Sequence, residues 1–203
     1  MPRVILSLEQ QFNKEGATAI GLAQAGEVTR YLSLQNGHRD ILKEWPNQRV
    51  ESLYELSFLR AFIAWEMFLE NSFCRYIAGY PSVRFGVAVP ARRFYSSLQT
   101  ARVAMLRKRP YRHWYDPEEI KRRSRRFMTN SRHEIVMTVY RTDLENLSKI
   151  RHRIAHGQSH AKREFNNTTI RMAAKTFPRS SVGAFSRSWV AGSSPQIRWL
   201  ESI

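Results

Sequence analysis

The sequence has few of the features that mark secreted, membrane-spanning or disulfide-stabilised proteins. Its single cysteine, Cys74, excludes an intramolecular disulfide, and the apolar helical residues around it indicate a buried side chain and not a nucleophile. No run of about 18 apolar residues occurs, and the apolar stretch in the opening MPRVILSLEQQF is too short for a signal peptide. We therefore expect a soluble, cytoplasmic protein.

Acidic residues are scarce in the C-terminal part of the chain. Lys and Arg number 33 overall against 17 Asp and Glu; residues 1–90 carry nine of each kind, so the excess lies in residues 91–203. The densest stretch, residues 102–126, mixes ten basic residues with Tyr111, His113, Trp114 and Tyr115. Arginines that hold phosphates and rings that stack on bases favour single-stranded or looped RNA as the partner. A solvated, arginine-rich helix face is the alternative.

Alternating β-branched runs are also scarce, and helix-period patterns dominate, which predicts an all-α fold. We expect one domain over residues 1–203, with a helical lead at 1–48 and a loop-rich tail at 166–203 that packs on the helical bundle. The tail should end in a short helix near residues 195–202. One helix is predicted within the lead, at residues 17–35, and three follow it at 50–78, 91–108 and 117 to about 128, with a loop at 81–90.

Local signals define several helix ends. Asn36-Gly37 should stop the first helix, and Asp116-Pro117-Glu118-Glu119 supplies an N-cap, a proline at the first helical position and an acidic first turn. Residues 142–145, TDLE, match a capping box, so a helix starting there should run to Gly157. Residues 134–140 either open that helix or form a separate turn.

The predicted long helix directs two carboxylates towards the core. At about 100 degrees per residue, Glu66 falls in the middle of the apolar face and Glu70 lies about 40 degrees away. A buried carboxylate needs a cation or several donors opposite it. The alternative is a rotated helix with both glutamates at its rim. The apolar face is defined by Leu59, Phe62, Ile63, Phe73 and Ile77.

The stretch NLSKIRHRIAHGQSH, residues 146–160, predicts a second helix whose apolar side has an arginine at its edge. Leu144, Leu147, Ile150 and Ile154 share that side. Arg151 falls at its edge, where it is the natural counter-charge for Glu66, and a guanidinium fixed in this way can offer its remaining N–H groups to a phosphate. A purely structural salt bridge is the alternative.

Three of the six histidines lie in this stretch, at four-residue spacing: His152, His156 and His160. A metal site is disfavoured, because Gly157 should end the helix before His160 and because Arg153 stands where a zinc hydrolase needs its glutamate base. We therefore expect neither metal nor cofactor. Two imidazoles beside a fixed arginine suit metal-free RNA cleavage, with proton transfer by histidine and charge stabilisation by arginine.

The segment RHRIAHG, residues 151–157, resembles the R-x4-6-H motif of the HEPN superfamily, and LRAFIAWEMFLENSF resembles the earlier HEPN helix that bears a core glutamate. The resemblance implies a helical bundle that forms a homodimer, with two motifs facing one cleft as a composite, metal-independent endoribonuclease site. It makes Arg151 and His156 the catalytic pair, gives His152 the helper position and lets Glu66 orient Arg151.

The resemblance also implies a biological setting. Many relatives are toxins of toxin–antitoxin pairs or effectors of defence against phage, and a partner protein holds them inactive. Other relatives lack nuclease activity and serve as nucleic-acid-binding or assembly subunits, which is the main alternative here. A third possibility is a toxin that acts on a protein or nucleotide and docks an acidic antitoxin. The residues expected to contact RNA are Lys149, Arg153, His160, Arg122, Arg123, Arg125 and Arg126.

Overall fold

The computed structural model describes residues 7–80, 91–106, 113–188, 190 and 198–202. Across those ranges the chain forms ten α-helices and no strand, with one isolated antiparallel bridge between Ala91 and Met128. The predicted all-α fold is confirmed. The helices are α1 (Leu8–Gln35), α2 (Arg39–Glu44), α3 (Asn47–Ile77), α4 (Leu98–Leu106), α5 (Pro117–Phe127), α6 (Arg132–Val139), α7 (Arg141–Ala155), α8 (Ser159–Ala173), α9 (Val182–Arg187) and α10 (Trp199–Ser202).

The chain divides into two compact units. Unit 1 comprises Met1–Glu9 and Trp65–Ser148, and unit 2 comprises Gln10–Ala64 and Lys149–Ile203. Three helices, α1, α3 and α7, contribute residues to both units. The candidate motif after Ser148 therefore belongs to unit 2, whereas Glu66 and the basic helix α5 belong to unit 1.

The first helix is longer than predicted, since α1 begins at Leu8 and not at residue 17. It ends at Gln35 as expected, and Gly37 takes the left-handed conformation with φ +68°. Small residues let α1 pack closely: a Cβ on Gly26 would lie 2.5 Å from Leu53 Cδ1. A contact made by small residues gives no apolar periodicity, so the sequence signal for the start of α1 was weak. The short helix α2 was missed.

Side-chain caps explain where α4 and α5 begin. The prediction of a helix from residue 91 is wrong, because Ser97 and Thr100 cap α4 reciprocally, with Ser97 Oγ accepting from Thr100 N at 3.1 Å. The Asp116 cap is confirmed: its carboxylate accepts from the backbone N–H groups of Glu118 and Glu119. The predicted loop at 81–90 and residues 107–112 lie outside the described residues.

The prediction that TDLE, residues 142–145, forms a capping box is wrong. Ser131 caps a separate helix, α6, by accepting from His133 N, and α7 then begins at Arg141, one residue before Thr142. Leu144 N donates to Tyr140 O at 3.0 Å, so Thr142 already lies inside the first turn. The tail is also more helical than predicted, because α8 continues to Ala173 and α9 follows. The short terminal helix is present as α10.

The core of unit 1 surrounds Phe73, whose ring makes edge contacts with Trp114, Phe127 and His133 at centroid distances of 5.4–5.8 Å. Cys74 is buried beside it, as predicted. Burial and the nearby Glu70 raise the pKa of the Cys74 thiol to about 11, which keeps it protonated and unreactive at neutral pH.

His133 is a titratable group inside this core. Its Nε2 lies 2.9 Å from Ser72 Oγ, and Ser72 Oγ itself donates to Leu69 O, so His133 Nε2 acts as the donor to Ser72. Nδ1 is buried without a hydrogen-bond partner in the described part of the chain. Burial lowers the pKa of His133 to about 4.

The stability of the fold should therefore depend on pH through His133. When the pH falls below the unfolded-state pKa of 6.5, the unfolded chain takes up a proton that the folded chain refuses until about pH 4. The free energy of unfolding should drop by about 3 kcal/mol over that interval, or about 1.4 kcal/mol per pH unit. Urea denaturation at several pH values measures this slope, and His133→Asn should flatten it. An equally steep slope in His133→Asn would assign the effect to other groups.

The core of unit 2 is built around Phe185, whose ring contacts Phe165, Phe177 and Trp199 at 5.2–6.2 Å. An ion-pair network adjoins it. Arg187 makes a two-pronged contact with Glu27 at 2.5 and 3.0 Å, and Arg198 Nη1 lies 3.3 Å from Glu27. Burial works to raise the pKa of Glu27, but the hydrogen bond and charge of Arg187 together with Arg198 lower it on balance.

Two arginine–glutamate pairs of unit 2 allow a matched test of burial. Arg187→Gln should lower the free energy of unfolding by about 1–3 kcal/mol, because it breaks charged hydrogen bonds to the partly buried Glu27. Arg60→Gln removes a similar contact to Glu15 at 2.9 Å, but both side chains are nearly half exposed and the loss should stay under about 1 kcal/mol. Chemical denaturation measures both. Equal losses would show that burial does not strengthen the Glu27 pair.

Candidate functional site

The imidazoles of His152 and His156 lie together at the C-terminal end of α7. Their ring centroids are 4.4 Å apart with an interplanar angle of 47°, and both side chains are exposed. His156 N donates to His152 O at 3.0 Å, which continues the helical bonding one residue past Ala155. The predicted one-turn pairing of these histidines is confirmed.

The charge state of the pair is constrained. Desolvation, followed by the positive charges of His156, Arg151 and His160, lowers the pKa of His152. Two imidazoles this close repel each other when both carry a proton, so uptake of one proton by the pair disfavours uptake of a second. A pair that has taken up one proton presents one neutral and one protonated ring at the same surface, which is the arrangement that acid–base catalysis needs.

His160 is separated from the pair by the end of the helix, as predicted. It lies in the first turn of α8, where its Nδ1 is 3.1 Å from Arg163 Nη2. It is nevertheless close enough to contribute to the pKa shift of His152. No group of three or more metal-ligating side chains is found in the described ranges.

The apolar side of α7 is as predicted, with Leu144 and Ile150 buried and Leu147 and Ile154 half-buried. Arg151 is half-buried beside them, next to the exposed His152. Lys149 approaches Glu164 of α8, with Nζ 3.8 Å from the carboxylate, so its charge is partly balanced within unit 2.

Arg153, which we expected to contact RNA, is turned partly towards the interior of unit 2. Its side chain is half-buried, with Nε fully buried and without a hydrogen-bond partner in the described part of the chain. Its other two nitrogens donate to backbone carbonyls, Nη1 to His156 O at 3.3 Å and Nη2 to Arg179 O at 3.4 Å. The guanidinium thus holds the chain just beyond α7.

Glu66 is buried at 6% exposure, and this confirms that α3 directs it to the core. One of its oxygens accepts from Trp114 N at 3.2 Å. Glu70 is half-buried and accepts from Trp114 Nε1 at 3.1 Å and from Arg102 Nε at 3.1 Å. Donors of unit 1 therefore face both carboxylates, as required. The pairing of Glu66 with Arg151 of unit 2 stays a prediction.

The predicted apolar face of α3 is only partly confirmed. Phe62, Phe73 and Ile77 are buried and Leu59 is half-buried, but Ile63 is 50% exposed. The buried face is therefore rotated away from Ile63, and Ala64 and Leu69 share in it. Because Glu66 is buried as well, the face was hard to centre from apolar residues alone.

One predicted RNA contact on α5 is corrected. Arg123 is buried, its guanidinium carbon lies 4.2 Å from the centroid of Trp114, and Nη2 donates to His113 O at 3.3 Å. Its role is structural, since little of its charge reaches the surface. Trp114, expected to stack on RNA, is buried at 1%. The residues around Trp114 give no signal for this burial, because its carboxylate partners Glu66 and Glu70 lie 48 and 44 positions away in the sequence.

The other α5 arginines are exposed but closely paired. Arg122 contacts Glu119, and Arg125 Nε lies 2.6 Å from Glu134. The Arg126 guanidinium lies over the Phe127 ring at 5.2 Å. The surface pocket beside them mixes charges, since three acidic and three basic residues line it: Asp116, Glu118, Glu119, Lys121, Arg122 and Arg125. Such local pairing weakens attraction to RNA at α5.

Two substitutions of Glu66 should distinguish the contribution of its hydrogen bond to stability from the contribution of its charge. Glu66→Ala leaves the buried Trp114 N–H without this acceptor and should lower the free energy of unfolding by about 1–3 kcal/mol. Glu66→Gln keeps an oxygen acceptor and should cost less. Urea denaturation of both variants measures the difference. If Gln destabilises the protein as much as Ala, the negative charge is the important feature and a cationic partner is indicated.

Comparison with models of known protein families, with curated proteins and with solved structures gives no match to this chain. Among the described residues, no helix combines the length and apolar character needed to cross a lipid bilayer.

Proposed function

We propose that this protein is a metal-independent endoribonuclease whose reacting groups are Arg151, His152 and His156. The observation that carries the proposal is the exposed imidazole pair, 4.4 Å apart at the end of α7, with Arg151 immediately before it. These are the groups that RNA cleavage without a metal requires: a proton acceptor, a proton donor and a fixed cation.

The reaction that fits these groups is an internal transfer at phosphorus. His152, whose pKa is lowered by burial and by its positively charged neighbours, accepts the proton of the 2'-hydroxyl as that oxygen attacks the adjacent phosphorus. The bond from phosphorus to the 5'-oxygen breaks, and His156 gives that oxygen a proton. The products are a 2',3'-cyclic phosphate and a 5'-hydroxyl end. Arg151 stabilises the additional negative charge on the phosphorane.

The N-terminal end of α8 is suited to binding a substrate phosphate next to the imidazole pair. Its N-cap residue, Gln158, makes no side-chain capping bond, so the first N–H groups of the helix are available to an anion. His160 lies in that turn. Lys149, Arg153 and His160 then surround the substrate, with Arg153 acting through the backbone of His156.

The resemblance to HEPN nucleases extends the proposal to assembly and biology. Two copies would bring their motifs to one cleft, Glu66 would orient Arg151, and the nuclease would be a toxin or anti-phage effector in the cytoplasm, controlled by a protein partner. The basic excess over residues 91–203 suits either RNA or an acidic inhibitor.

An assembly subunit without catalysis is the second candidate, and one surface favours it. On α6 and at its C-cap residue, neighbouring apolar side chains are strongly exposed: Ile135 at 56%, Val136 at 42%, Val139 at 68% and the C-cap Tyr140 at 54%. A contiguous exposed apolar face on a short helix is typical of protein–protein contact. It is compatible with the nuclease as well, since a dimeric or inhibited enzyme also needs such contacts.

Incubation of RNA with the purified protein in excess EDTA tests the nuclease. Cleavage should continue in the chelator, because imidazoles supply the proton transfers, and products should carry 2',3'-cyclic phosphate ends. His156→Ala should reduce the rate at least about 100-fold, and His152→Asn should reduce it as well. Gel analysis of end-labelled RNA measures the rates.

His38 provides the matched control, because it is an exposed histidine of unit 2 outside the motif. His38→Ala should cut as fast as the unaltered protein. Cleavage that stops in EDTA, or that persists in His156→Ala, would contradict the proposed mechanism. Stable RNA binding without any products would favour the assembly subunit.

A further inference from the structure

The turn between α8 and α9 has an unusual backbone. It is a 3-10 turn, Pro178–Ser180, in which Arg179 and Ser180 are consecutive left-handed residues with φ +54° and +52°. This conformation is unfavourable for residues that carry a Cβ, and it persists only where the surrounding structure enforces it. Backbone strain of this kind concentrates at functional sites, so this turn is a candidate for a functional role.

Contacts within unit 2 enforce the turn from both sides. Ser180 N donates to Phe177 O and Ser181 N to Pro178 O, each at 3.0 Å, and Phe177 is buried next to Phe185. Ser181 Oγ lies 2.9 Å from a carboxylate oxygen of Glu51. The turn is thus anchored at its ends, and it exposes Pro178 and Arg179 to solvent while Ser180 is buried.

Arg153 connects the turn to the candidate site. The same guanidinium donates to His156 O at 3.3 Å and to Arg179 O at 3.4 Å. Both bonds are long, but one small planar group within reach of both carbonyls places the backbone of Arg179 beside that of His156. An arginine side chain that starts there can reach the edge of the imidazole pair.

We propose that Arg179 is an RNA-binding residue that contacts a substrate phosphate next to His152 and His156, and that Arg153 positions it. Arg179 is exposed, and its guanidinium has no hydrogen-bond or ion-pair partner in the parts of the chain that the structure describes. Arg122 and Arg125, by contrast, are paired with glutamates. An unpaired guanidinium is the stronger phosphate ligand, because it gives up no existing contact. The inference rests on the proposed function for where the RNA lies.

The test measures RNA binding apart from cleavage. The His156→Ala protein serves as the reference, so that a fluorescein-labelled single-stranded RNA stays intact during anisotropy titrations in EDTA. Adding Arg179→Gln should weaken binding about 10-fold and reduce the slope of log affinity against log salt by about 0.7, the value for one lost phosphate contact on a single strand. Adding Arg179→Lys should keep the slope, because the charge remains.

Arg39, an exposed arginine of α2 in unit 2, is the charge-matched control. Arg39→Gln should change affinity less than twofold and leave the salt slope unchanged. If Arg179→Gln behaves like Arg39→Gln, or if the reference protein does not bind RNA, the role of Arg179 is refuted. Failure of the nuclease is seen separately, as intact RNA with the unaltered protein, and it leaves a phosphate contact by Arg179 in place.

Discussion

The candidate site depends on the termination of α7. The helix ends at Ala155, so His152 and His156 form its last exposed turn and cannot align with His160 as three ligands on one face. The next helix begins only at Ser159, and its first N–H groups start where the imidazole pair ends. Arg153 holds this corner by bonding to the carbonyl of His156. One break in helical bonding thus disfavours metal ligation and creates a surface suited to an anion.

A second constraint acts in unit 1, where two carboxylates of α3 enter the core. Neither could stay charged there without donors. Trp114 supplies two of them, its backbone N–H to Glu66 and its indole N–H to Glu70, and Arg102 adds its charge to Glu70. The stacking of Arg123 on the same indole then explains why a basic residue is buried in α5. Trp114 and Arg102, which belong to the stretch that suits RNA binding in the sequence, thus stabilise the carboxylates of Glu66 and Glu70.

Features that depend on neighbours in sequence were predictable. The Asp116 cap, the end of α1, the direction of Glu66 and the pairing of His152 with His156 follow from local chemistry or from helical periodicity. Features that depend on distant residues were not. Arg153 turns inward only because the carbonyl of Arg179, 26 positions away, lies within its reach. Likewise, Trp114 is buried because α3 presents two carboxylates to it, which no window around residue 114 shows.

The distribution of charge connects the partner to the chemistry. The acidic residues Glu119 and Glu134 pair with Arg122 and Arg125, which reduces the positive charge that α5 offers to a polyanion. Between Lys149 and Arg187 the sequence has nine basic residues and one acid, Glu164, so the motif helix and the helices after it carry a large positive excess. A positive field favours an approaching polyanion. Burial lowers the pKa of His152, and the cations within that field lower it further. In the proposed nuclease the same cations would attract RNA and help His152 to act as a base, so a substitution that removes charge at this corner should alter both together.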